Sequence, residues 1–160
     1  MSKQCLVLRL LLLLSVALGA QAMADGSKGA SSQPLGLRLG MSEEAAHKRL
    51  KKIATQKKEE KEEGEGEQEV WILKRDEKLN YLITRFDEKH RLVLITVVAR
   101  PTQVRYADIG DLNDATKATD GLNYSYKWKV AATKQQPVFL IIARGSSAEF
   151  LTSYSVYPTR

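Results

Sequence analysis

The stretch YLITRFDEKHRLVLITVVA, residues 81–99, places two apolar segments on either side of a run of polar residues. The first segment continues an alternation in which Leu79, Tyr81 and Ile83 take turns with Asn80, Leu82 and Thr84. That is the period of a strand, whose successive side chains point to opposite faces. Asp87-Glu88-Lys89-His90-Arg91 suits a hairpin loop, and Leu92–Ala99 is apolar and β-branched, as a central strand should be. Pro101 ends it, because proline has no N–H to give to a ladder. Val70–Leu73, with Trp71 and Ile72, adds a strand upstream. The middle of the chain is thus predicted to be a meander of three antiparallel strands.

Upstream of the meander, LGLRLGMSEEAAHKRL (residues 35–50) has the signals of a helix entrance. Ser42 can cap an orphan backbone N–H one turn in, and Glu43 and Glu44 suit the positive end of the helix dipole. Ala46, Leu50, Ile53 and Ala54 form one apolar stripe, while Lys48, Arg49, Lys51, Lys52, Lys57 and Lys58 lie largely off it. Residues 59–69, EEKEEGEGEQE, then reverse the charge and lose apolar character, which predicts a mobile loop. The alternating Asp/Asn ligands of a calcium loop are absent from it.

Downstream, Asp111–Ala118 is read as a short helix and Asp120-Gly121 as a turn. Tyr124, Tyr126, Trp128 and Val130 alternate with Ser125, Lys127 and Lys129, the cleanest two-residue period in the chain. Val138–Ala143 and Phe150–Tyr157 complete the strands, with Pro137 and Gly145 as boundaries. The expected fold is therefore α+β, an N-terminal helix packed on an antiparallel sheet of about six strands, in one domain spanning residues 35–160. No internal repeat is readable residue by residue, although the two strand groups leave room for a distant duplication.

The first 24 residues stand apart. Lys3 and Arg9 precede an apolar run from Leu10 to Ala20, and Ala22-Met23-Ala24 supplies a small-x-small cleavage site. The run falls well short of the roughly 20 residues that a membrane-spanning helix needs. Residues 1–24 are read as a signal peptide and residues 25–34, DGSKGASSQP, as a flexible linker. Removing the signal takes away Cys5, the only cysteine, so no disulfide framework is available and a hydrophobic core must carry stability. It also lowers the basic count from 25 to 23, against 19 acids. Gln21 stands where a lipoprotein would carry its lipidated cysteine. These features predict a soluble exported protein, periplasmic or secreted, with no integral membrane anchor.

Few residue sets promise chemistry. His47 and His90 belong to no spaced ligand group and are read as solvent-facing, and no metal or cofactor is expected. Ser146, in Gly145-Ser146-Ser147, lacks the Gly-x-Ser-x-Gly elbow of a hydrolase nucleophile and reads as part of a polar turn. No pair of carboxylates stands out as a glycosidase would require. The basic helix could contact nucleic acid, but export and the neighbouring glutamates argue against that partner. Tyr124, Tyr126 and Trp128 form the candidate partner-binding surface, with burial in the core as the competing reading. Asn123-Tyr124-Ser125 matches a glycosylation sequon, relevant only in a host with an endoplasmic reticulum.

Gly40-Met41-Ser42 opening a first helix, followed by the hairpin residues Phe86, Asp87 and Leu92, resembles the SmpA/OmlA (BamE-like) domain and the related β-lactamase-inhibitor-like fold over residues 35–100. The lipidated cysteine common in the former is missing, as is the Gly-x-Pro that often follows its helix. The resemblance implies a non-catalytic binding scaffold of the bacterial envelope. The expected function is a protein-binding module whose partner is another envelope or secreted protein. A secreted enzyme inhibitor is the alternative, and a small hydrolase using Ser146 or a histidine is a third.

Overall fold

A computed structural model describes residues 33–57, 68–132 and 137–159. The signal peptide, nearly all of the linker and residues 59–67 of the acidic segment lie outside these. The described chain is predominantly β: one eight-stranded antiparallel sheet in the order β1-β2-β3-β4-β8-β7-β6-β5. The strands are β1 (Ala54–Lys57), β2 (Gln68–Leu73), β3 (Leu79–Phe86), β4 (Leu92–Ala99), β5 (Thr116–Asp120), β6 (Asn123–Val130), β7 (Phe139–Gly145) and β8 (Ser153–Pro158). Two helices accompany them, α1 (Glu43–Ile53) and the single turn α2 (Tyr106–Ile109).

This corrects the expected α+β fold with about six strands. The two additional strands are the edges. Thr55, Gln56 and Lys57, expected near the end of the helix, pair with Ile72, Trp71 and Val70. Thr116–Asp120, expected partly in a second helix, pairs with β6, and only a 3-10 turn at Leu112–Asp114 precedes it. Every residue of β5 is exposed, as are the last three of β1. Edge strands held by backbone pairing on one side need no apolar side chains, so hydrophobic periodicity does not reveal them.

The two faces of the sheet differ completely. On one face Trp71, Leu82, Ile95, Val97, Tyr154, Val156, Ile141 and Trp128 are buried beneath α1, α2 and the segments that lead into them. α1 supplies Ala46 and Leu50, and Leu37, Leu39, Val104, Tyr106 and Ile109 fill the remainder. Burying a large apolar side chain contributes about 1.5–3 kcal/mol each, which makes this layer the main source of cohesion. Ser42 caps α1, accepting from the Ala45 N–H at 3.4 Å.

The strand order is a palindrome, and the pairing shows an internal duplication with a pseudo-two-fold axis between β4 and β8. Thr96 pairs with Ser155 on that axis, their hydroxyls 2.9 Å apart, flanked by Ile95↔Val156 and Val97↔Tyr154. Outward from the axis, Leu82 in β3 corresponds to Ile141 in β7, and Trp71 in β2 to Trp128 in β6. The helix entrances match as well. Ser42, preceding α1, bridges Arg91 as Arg105, preceding α2, bridges Phe150. The Leu92 N–H donates to Met41 O, and the Leu151 N–H donates to Val104 O, both within 3.0 Å. Each half is a helix followed by four antiparallel strands.

Candidate functional site

Along β2–β3–β4–β8–β7–β6, the register Ile72–Tyr81–Val98–Ser153–Arg144–Ser125 runs across the second face of the sheet, with Val70–Ile83–Thr96–Ser155–Ile142–Lys127 beside it. None of these residues is buried. Among the described residues no helix or loop covers this face, and Ile72 is 47% exposed. The first half contributes an apolar area of Val70, Ile72, Tyr81, Ile83 and Val98. The second contributes Leu140 and Ile142, then the exposed cations Lys127, Lys129 and Arg144. Asp120, at the β5 corner, is the only acid that the described strands place on this side. Lys57 and Arg85 lie on the same face in the first half. The surface is thus an apolar field with cations on both sides, densest at Lys127, Lys129 and Arg144, a chemistry suited to a partner that places carboxylates beside an apolar ridge.

A second polar arrangement lies on the helical side of the first half. Glu69 in β2 shares its face with Trp71 and Leu73, which turns its carboxylate inward under α1. Both carboxylate oxygens lie 2.9 Å from His47 Nε2. The same carboxylate accepts from Trp71 Nε1 at 3.1 Å, Thr84 Oγ1 at 3.3 Å and Gln56 Nε2 at 3.3 Å. The His47 ring packs on Trp71 and edge-on against Phe86, with centroids 5.4 and 5.6 Å away. One helical turn earlier, Glu43 presents Oε1 at 4.0 Å from His47 Nε2, while its Oε2 lies 2.6 Å from His90 Nδ1.

The sequence-derived candidates land in different places. Tyr126 and Trp128 are buried, and Trp128 Nε1 donates to Asp111 O at 2.7 Å. Their face of β6 is core, so neither ring is available as a contact surface. Tyr124 is half-buried and lines a cavity of about 360 Å³ with Asp120, Asn123, Arg144, Ser146 and Thr152. Ser146 is exposed there with no histidine in the lining, and Ser147 Oγ is engaged in its own turn by the Glu149 and Phe150 N–H groups. His90 is exposed as expected, but His47 is half-buried and bonded. Glu69, expected within a mobile acidic loop, instead belongs to β2. The signal for it was present, since Glu69, Trp71 and Leu73 share one two-residue period.

The comparisons add no relative: no family model, curated protein or solved structure matches this chain. Among the described residues no helix is long and apolar enough to cross a membrane.

Proposed function

We propose that this chain is an exported, non-catalytic protein-binding module of the bacterial envelope, and that it takes its partner on the open face of the sheet. The observation that supports the reading is that uncovered face itself. On one side of the eight-stranded sheet Ile72 is exposed and Tyr81, Ile83, Leu140 and Ile142 are half-buried, a contiguous apolar surface rather than isolated residues. Its cationic flank of Lys127, Lys129 and Arg144 directs the choice toward an envelope or secreted protein with an acidic rim. The resemblance carried by Gly40-Met41-Ser42 and Phe86-Asp87-Leu92 points to the same class of scaffold.

The test places charge on that face and on a control surface. Ile83→Glu and Ile142→Glu are expected to leave the protein folded by circular dichroism and to abolish recovery of one stoichiometric partner from an envelope extract. Lys127→Glu combined with Lys129→Glu should weaken recovery and remove most of its salt dependence. Lys48→Glu with Lys52→Glu, on the exposed side of α1, should do neither. A partner held equally well by the Ile83 and Ile142 variants would sink the proposal. Should the partner be an enzyme whose activity falls on binding, the module acts as an inhibitor. Export is checked by fractionation and intact mass, with loss of residues 1–24 as the expected outcome.

A further inference from the structure

The geometry points to a binding site for one divalent transition-metal ion of the zinc type, formed by Glu43, His47 and Glu69 and open to solvent on one side. One donor atom from each residue lies within 4.8 Å of the others. A tetrahedral ion with bonds of about 2.0–2.2 Å sets neighbouring donors about 3.4 Å apart. The observed separations of 2.9 Å (His47 to Glu69) and 4.0 Å (His47 to Glu43) bracket that value. The side chains of Glu43, His47 and Glu69 are 32%, 23% and 12% exposed, neither sealed nor freely hydrated. The depression lined by Ser42, Glu44, Lys48, Lys51 and His90 leads in from solvent and leaves a position for water or a further ligand.

Two features separate this cluster from an ordinary surface ion pair. Each carboxylate already has the outer partners that orient a metal ligand: Trp71, Thr84 and Gln56 on Glu69, and His90 on Glu43. Furthermore, the duplication shows what the fold itself needs at these positions. The places of Glu43, His47 and Glu69 are taken in the second half by Tyr106, Gly110 and Tyr126, with Tyr106 and Tyr126 packed ring to ring at 4.4 Å. The scaffold closes without charge there, so the polar triad is not a requirement of packing. Two carboxylates and one imidazole offer a divalent cation two oxygen donors and one nitrogen donor. A nitrogen donor and a small ligand number favour zinc-like ions over calcium or magnesium, which prefer more oxygen ligands.

The protein purified from expressing cells, stripped with a chelator, is titrated with Zn²⁺ while calorimetry gives stoichiometry and tryptophan emission reports on Trp71. One equivalent is expected to bind, to change the emission, and to raise the thermal midpoint. The emission change should vanish in Trp71→Phe and persist in Trp128→Phe. His47→Ala and Glu43→Gln should each weaken binding by at least the roughly 10–100-fold that even outer partners command. Glu43 is the more exposed of the two carboxylates, so Glu43→Gln decides the matter if His47→Ala does not fold. A folded wild-type protein that takes up no Zn²⁺ overturns the proposal. Uptake unchanged in both variants does so too, since it would place the ion elsewhere, such as on acidic residues 59–67. Binding of Ca²⁺ or Mg²⁺ as tight as that of Zn²⁺ would overturn the zinc-type assignment.

Discussion

Phe86 and Gly145 hold the same place in the two halves of the sheet, and their surroundings decide which residue can stand there. In the first half the Phe86 ring packs on His47. In the second, the bulk comes from the helix side, where Tyr106 reaches over to donate to Tyr124 O at 3.2 Å. A Cβ at position 145 would lie 2.6 Å from Phe150 O, 2.7 Å from the Tyr106 hydroxyl and 2.9 Å from Leu151 Cα. Two of those atoms are backbone and cannot swing aside. Gly145→Ala should therefore destabilise by about 1–3 kcal/mol, read as a lower urea midpoint with an unchanged slope. Tyr154 supplies a pH test. Burial, with a smaller contribution from the Asp76 carboxylate, raises its phenol pKa well above the ordinary 10.0. A raised folded-state pKa means that its contribution is fully present below about pH 10 and is lost as pH climbs further. Tyr154→Phe is expected to fold at neutral pH and to unfold at a higher alkaline pH than the wild type, as followed by circular dichroism. An unchanged alkaline midpoint would show that Tyr154 does not drive that transition.

At the scale of elements, α1 is the part whose local signals agree best. Gly40 holds a left-handed φ of 79°, Ser42 caps the first turn, and Lys51 and Lys52 occupy the last. Ser42→Ala removes the cap and should lower stability by about 1 kcal/mol, measured by thermal or urea unfolding. The helix then stops at Ile53, although the apolar stripe continues to Ala54. No helix breaker stands there. The chain turns into β1 because β2 has a free edge whose N–H and C=O groups β1 satisfies, and the Lys74 N–H closes the junction by donating to Ile53 O at 3.0 Å. The strands with one buried face, β2 from Val70 onward, β3, β4, β6, β7 and β8, were readable from composition and period. β1 and β5 were not, since their reason for being extended lies in a neighbouring strand.

For the whole molecule, the palindromic order makes β4 and β8 the centre of one continuous ladder and β1 and β5 its two margins. Amide exchange should follow that geometry. The amides of Ile95, Val97 and Val156 are expected to exchange only through global unfolding, and those of β5 by local fraying. Equal protection in β5 and β8 would contradict local fraying of the margin. Long-range strand pairing also explains why the candidate metal cluster was hidden from sequence. Its members come from α1 and β2 on either side of an acidic segment, and neither histidine is spaced from the other as a local ligand pair. Glu43 and His47 were legible as helix neighbours one turn apart. Glu69 joined them only because the pairing of β2 with β3 aims its face under the helix.

What the amino-acid order determined alone is local. The cap at Ser42, the hairpin at residues 87–91, the break after Ala99 and the alternation of β6 each follow from torsional preference and side-chain period within a few residues. The tertiary structure alone decided which face of an alternating strand is covered. Tyr126 and Trp128 went into the core and Ile83 and Ile142 onto the half-buried opposite face, because α1 and α2 enter on the same side of the sheet. Period two distinguishes two faces but gives neither a label, and only the placement of the helices breaks that symmetry.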